Sequence, residues 1–238
     1  MRKNVLLCAA LAAGVLAACD KKESCSDADR PDITLSADTL TAGSELRLSA
    51  SSVRGAQYYL WSGPDGFTST DQQPVITRIQ PANAGVYTVE VGFTGGCRVT
   101  ASSVPVRVGV PAAPCTQAAN STTINGLPTL SFSRTNAYVT GGSWFLEGNS
   151  SNGTVELEFP GTERPGPGLY SIPIGTDWGH GYVRLRAVSS NNNWVTANDK
   201  VYVTVSAAGK VTAQFCNVAT VGQTNNLHST MSGKISEP

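Results

Sequence analysis

Tyr58-Tyr59-Leu60-Trp61-Ser62-Gly63-Pro64-Asp65-Gly66-Phe67, followed by Asn83-Ala84-Gly85-Val86-Tyr87-Thr88-Val89, is the stretch whose reading decides the fold. Large apolar and aromatic residues run into a Gly-Pro-Asp-Gly turn, and no helical period carries through it. Aromatic-rich strands and turns of this composition are an antiparallel β signature. The same period of two extends outward through Ile33 and Leu35, Leu46, Leu48 and Ala50, Tyr59 and Trp61, and Val89 and Val91. Alternation places one face of each strand in a core and the other in solvent. Turn signals at Ala42-Gly43 and Gly95-Gly96 separate the strands. About seven short strands in some 80 residues predict a sandwich over residues 32–110, with Trp61 at its centre.

The Tyr87 segment resembles the tyrosine corner of immunoglobulin-like folds, and with the Trp61 stretch it is similar to the Ig-like and PKD-like modules of bacterial surface proteins. The resemblance implies a phenol that ties the corner backbone ahead of the sixth strand. One departure stands out. Antibody-type domains carry a Cys two residues after this Tyr, whereas Val89 stands here, with Leu48 as its expected partner.

Gly109-Val110-Pro111-Ala112-Ala113-Pro114 follows, a semi-stiff joint centred on 111–114 that is expected to restrict interdomain angles. Residues 115–238 are again β in pattern. Strands are expected at 129–134, 144–147, 155–159, 169–172, 182–188, 194–197, 201–205 and 211–218, forming a second antiparallel sandwich or a small barrel. The fold class is therefore all-β in two domains. The pattern of Pro167-Gly168-Leu169-Tyr170 and Val201-Tyr202-Val203-Thr204-Val205 is similar to β-domains of uncharacterised small bacterial lipoproteins. Beyond about Ala219 the chain is polar and reads as a weakly packed tail, save for a possible edge strand at Lys234-Ile235.

The N-terminus supplies an address. Arg2 and Lys3 precede an apolar run of 14 residues, from Val5 to Ala18. That is short of the roughly 20 residues of a membrane-spanning helix and suits a signal peptide over 1–18. Leu16-Ala17-Ala18-Cys19 looks like the lipobox of bacterial lipoproteins. The resemblance implies cleavage before Cys19, acylation of its thiol and amino group, and membrane attachment through that lipid. Residues 19–31 then form a flexible tether. The implied place is the cell envelope, with the outer membrane or cell surface favoured over the periplasmic face of the inner membrane. Asp20 leaves the choice open, because acidic residues at that place accompany retention in some bacteria and surface display in others.

Six cysteines are present. With Cys8 in the signal and Cys19 lipidated, Cys25, Cys97, Cys115 and Cys216 remain, an even number in an exported chain. Four cysteines allow three connectivities, and pairing within each domain gives Cys25–Cys97 and Cys115–Cys216.

Composition narrows the chemistry. Charge is balanced at 17 basic against 17 acidic residues, and loss of Arg2 and Lys3 leaves 15 against 17. Such a chain offers no nucleic-acid footprint. No short Cys-x-x-Cys pair, alternating-Asp loop or glycine-rich phosphate turn is present, so neither metal nor cofactor is expected. No catalytic set is assigned. His180 in Asp177-Trp178-Gly179-His180-Gly181-Tyr182 reads as part of a turn-rich loop, and Glu156 and Glu158 as a solvated strand face. Trp178, Tyr182 and Trp194 are the candidate ligand-stacking residues. The leading expectation is non-enzymatic binding, adhesion or structural display toward an unidentified protein or glycan. A carbohydrate-binding lipoprotein serving glycan uptake is the alternative, and a hydrolase the third.

Overall fold

A computed structural model describes residues 30–189 and 191–238. The lipid expected on Cys19, the bridge expected at Cys25 and the signal peptide over 1–18 lie outside the described residues. The first nine strands are β1 (Ile33–Leu35), β2 (Thr39–Thr41), β3 (Leu46–Ala50), β4 (Ala56–Ser62), β5 (Thr68–Ser69), β6 (Val75–Ile76), β7 (Thr88–Phe93), β8 (Arg98–Ser102) and β9 (Arg107–Gly109). One sheet runs β1-β3-β6 and the facing sheet β5-β4-β7-β8, both antiparallel, while β2 and β9 pair in parallel. Two antiparallel layers with a short parallel pair of the second and last strands form an Ig-like sandwich.

Alternation explains what lies between the layers. Leu46, Leu48 and Ala50 of β3 face Trp61, Val89, Val91 and Val99 in one buried cluster. Trp61 is opposite Val89 in the β4–β7 ladder and has no measurable exposure. Leu48 and Val89 thus fill by aliphatic packing the place where a disulfide stands in antibody-type domains. Tyr87 closes the corner: its hydroxyl donates to the Asn83 carbonyl at 2.7 Å.

The second domain contains β10 (Ser121–Ile124), β11 (Leu130–Ser131), β12 (Arg134–Thr140), β13 (Ser143–Ser150), β14 (Gly153–Pro160), β15 (Gly168–Ile172), β16 (Arg184–Ser189), β17 (Asn192–Thr196), β18 (Asp199–Val205), β19 (Val211–Gly222) and β20 (His228–Ser236). The main path is β11-β10-β20-β19-β17-β16-β14-β13-β12, and β18 joins β15 to β19. β19 makes this branching possible. Its first half pairs with β18 and its second half with β17, and the ladder to β20 shifts register between Phe215 and Val218. Asn217 takes a left-handed φ of 53° there, a conformation Asn tolerates well. The strand bends at this bulge and passes from one layer to the other. Ser171 N–H donates to the Gly181 carbonyl and Val183 N–H to the Ser171 carbonyl, at 2.8 and 3.0 Å. These bonds close β15 onto the chain entering β16, giving a sandwich sealed like a barrel at one end.

The polar tail expected after Ala219 is corrected by the structure. β19 continues to Gly222, and β20 lies between β19 and β10 with Met231 and Ile235 fully buried. His228 opens this strand with an exposed side chain rather than lying in a loose tail. The buried positions of β20 are interrupted by Gly233, so its apolar period is sparse. Gly233 is needed because a Cβ there would meet the Phe215 ring at 2.6 Å.

Cys115 and Cys216 are disulfide-bonded, with Cα atoms 5.8 Å apart and a sequence separation of 101. The bridge fastens the start of the second domain to the β19 bulge. The Gln214 amide reinforces it by donating to the Cys115 carbonyl at 2.6 Å. Cys97, in the turn before β8, is also disulfide-bonded.

Candidate functional site

Gly63-Pro64-Asp65-Gly66 turns tightly enough to put Asp65 at φ 57°, a left-handed conformation that Asp accommodates. Downstream, Pro81–Asn83 make one 3-10 turn, and Asn83 becomes a pivot. Its carbonyl receives the Tyr87 hydroxyl, its Oδ1 accepts the Gln80 N–H at 2.8 Å, and its Nδ2 donates to Asp65 Oδ2 at 3.1 Å. The tyrosine corner therefore positions a carboxylate at the end of the first domain. His180 of the second domain approaches the same oxygen, with Nε2 at 3.3 Å.

Gln80 provides the firmest link between the domains. It is 3% exposed. Its Nε2 donates to the Leu169 carbonyl at 2.8 Å, and its Oε1 accepts the Leu169 N–H at 3.1 Å. One side-chain amide thus satisfies both backbone groups of a β15 residue, as a neighbouring strand would. Gly168 is required beside it, since a Cβ there would collide with Gln80 Oε1. Arg78 adds a second latch: its guanidinium lies 4.1 Å over the Tyr182 ring, and its Nε donates to the His180 carbonyl at 3.4 Å. The two-proline joint was expected to limit the interdomain angle; the structure adds a packed and hydrogen-bonded interface.

Beside these latches lies a cleft of about 550 Å³. Pro81 and Ala82 of the first domain and Phe159, Pro160, Pro165, Pro167 and Tyr170 of the second make its apolar walls. Asp65, Gln80, Glu163, Arg164 and His180 make its polar lining. Phe159 and Tyr170 meet edge to face with centroids 5.2 Å apart, and the Tyr170 hydroxyl donates to the Gly166 carbonyl at 3.0 Å. Arg164 is held by buried Glu237, with Nε 3.0 Å from Oε1.

Burial, followed by the negative charge of Asp65, pushes both Tyr87 and Tyr170 up to about 12. A raised folded-state value favours the neutral phenol. The stabilisation is whole below pH 10 and is lost as pH rises through about 12. Each tyrosine is expected to withdraw roughly 2–3 kcal/mol across that window. Denaturant unfolding at pH 9 and above 12 should show the decline, and a Tyr87→Phe/Tyr170→Phe variant should lose most of it. An equally steep decline in that variant would assign the effect to other groups.

The three candidate stacking residues do not form a row. Trp194 is 1% exposed, and its Nε1 donates to the Ser189 carbonyl, so it is core rather than platform. Trp178 is half-buried with the Arg184 guanidinium 4.1 Å over its ring, and Tyr182 carries Arg78 in the same manner. Cation–π contacts occupy a face of each ring that a sugar would need. The row fails because alternation along β17 turns Trp194 inward, while Trp178 and Tyr182 lie on the loop at the domain joint. Gln80 and Arg78 went unnoticed in sequence; their signal, a polar pair flanking buried Ile79, is too common to single out.

Glu156 and Glu158 lie on the outer face of the second domain, yet they are paired rather than simply solvated. Across the β14–β16 ladder they oppose Arg186 and Arg184. Glu158 Oε2 sits 3.3 Å from Arg184 and 3.5 Å from Arg186, and its Oε1 accepts the Ser143 hydroxyl at 3.1 Å. The same face holds a shallow groove of about 610 Å³ lined by Glu147, Thr154, Glu156, Arg186, Asn193 and Gln223 among others.

No protein-family model matches the chain, and no curated protein matches it. Among solved structures, murine CEACAM1b aligns at 11% identity over 87% of this chain and 99% of that one, with a TM-score of 0.29. Carbohydrate-binding modules of the β-sandwich superfamily align at 13% identity over 86% and 89%, also at 0.29. A marsupial T cell receptor aligns at 11% over 88% and 95%, at 0.27. Scores this low carry no inference, so the architecture rests on the strand pairing itself.

Proposed function

We propose that this protein is a non-enzymatic binding protein of the bacterial cell envelope, attached through lipid on Cys19, with its ligand held in the interdomain cleft. The observation that carries the reading is the cleft's construction: walls from both domains meet beside a joint locked by Gln80 and Arg78. Domain interfaces are favoured places for ligand pockets, and about 550 Å³ lies within the usual range for small molecules. His180 directs Nε2 at Asp65 across the joint, which suits a positioning contact better than a general base. Detergent-extracted protein should carry or retain a small molecule from envelope extracts, identified by mass spectrometry after denaturation. Ala82→Trp, which places an indole in the cleft while leaving Gln80 intact, should abolish retention. Retention unaltered by that substitution would remove the cleft from the reading. Cys19→Ser should abolish acyl labelling.

A second reading places a glycan on the outer-face groove. Planar hydrogen-bonding groups of Glu147, Glu156, Arg186, Asn193 and Gln223 line it and are of the kind that bonds sugar hydroxyls. It is the weaker choice, because Glu156 and Arg186 already engage partners on the sheet.

A further inference from the structure

We propose that the interdomain cleft selects an organic cation: an apolar body bearing an ammonium or guanidinium group, received by the Asp65 carboxylate. The inference rests on the cleft being the binding site and adds the chemistry of its ligand.

Asp65 Oδ2 is engaged by Asn83 and His180, while no protein donor contacts Oδ1 among the described residues. The carboxylate remains partly open, with 39% of its side chain exposed in the cleft's polar lining. Its position is held from behind by the Tyr87–Asn83–Gln80 bonds, so no loop needs ordering when a ligand arrives. Glu163 is a second acid on the lining, exposed and without a cationic partner among the described residues. Arg164 does not balance these acids, because Glu237 neutralises it. The cleft thus carries two carboxylates among its proline and aromatic walls: Asp65, with one oxygen held by Asn83 and His180 and the other open, and Glu163. Such a site repels an anion, leaves a neutral ligand without a partner for Asp65, and rewards a cation with one charge-assisted hydrogen bond.

The same chemistry has two sources, a free amine or a Lys or Arg side chain of a partner peptide. Detergent-extracted protein would be titrated by calorimetry with benzylamine, benzyl alcohol and benzoate, and with the blocked peptide acetyl-Gly-Arg-Gly-amide. Binding of benzylamine or the peptide, with benzyl alcohol and benzoate at least about tenfold weaker, is the expected result. Whichever cation binds tighter identifies the source. Asp65→Asn keeps a residue type suited to the left-handed turn and should weaken the cation by about tenfold or more. Glu163→Gln, on an exposed side chain, should weaken it by a few-fold. Equal binding of all three benzyl probes, or cation binding unchanged in Asp65→Asn, would overturn the proposal. If benzyl alcohol or benzoate binds better and Ala82→Trp blocks it, the cation is wrong and the cleft reading survives. If no probe binds in a manner that Ala82→Trp blocks, the cation proposal falls, and retention from envelope extracts then decides the cleft itself.

Discussion

Replacing Cys115 and Cys216 together by serine is expected to lower the unfolding free energy of the second domain by about 4–5 kcal/mol, the chain-entropy value for a loop of roughly 100 residues. The bridge encloses nearly the whole domain, from the first residue after the linker to the β19 bulge. A typical domain is stable by about 5–15 kcal/mol, so the loss removes a third or more of the margin. Strain relief would reduce it, whereas the bond from Gln214 to the Cys115 carbonyl would be left with a mobile acceptor. Urea titration of the oxidised protein and the double variant measures the difference. A change below about 1 kcal/mol would mean that β19 is held by its three ladders alone, with the bridge a passenger.

Gln80→Ala is expected to uncouple the domains while leaving each folded. It strips partners from both the N–H and the C=O of Leu169, and a buried group left unsatisfied costs about 1–3 kcal/mol. The summed loss of about 2–4 kcal/mol falls on the interface rather than on either core. A single thermal transition should divide into two, and small-angle scattering should report a wider spread of shapes. Gln80→Glu tests the mechanism at nearly constant size, because an ionised carboxylate accepts from Leu169 N–H but has nothing to donate to its carbonyl. It should release the joint almost as fully. Unchanged scattering in both variants would return control of the angle to Pro111 and Pro114.

How much of this was legible depended on the range over which each signal acts. Period-two alternation is local, so Leu46, Leu48, Trp61 and Val89 revealed their inward face directly. The Tyr87 corner was legible because its bond spans only four residues. Of β20 only Lys234-Ile235 was anticipated, and as an edge strand, because β20 is buried by neighbours on both sides while its own sequence is rich in Ser, Thr and Gly. Tertiary placement, rather than hydrophobicity, makes it a central strand. Trp178, Tyr182 and Trp194 were correctly seen as notable, but aromatic composition alone does not distinguish a surface from a core or a joint. Tertiary contacts settle the difference: Trp194 is buried in the core, and Arg78, which lies over Tyr182, is about a hundred residues from it in the chain.

By itself, the sequence determined two all-β sandwiches, through alternation and turn chemistry, which are properties of neighbouring residues. Through resemblance it supplied the expectations of a tyrosine corner and a lipid on Cys19, and it favoured a Cys115–Cys216 bridge among three connectivities. Only the tertiary structure decided that the domains lock through Gln80, that Tyr182 braces that joint beneath Arg78, and that Asp65 lines a cleft shared by both domains. Each of those facts is a meeting of groups some 90 to 115 residues apart, and no local pattern encodes which distant backbone a glutamine will satisfy.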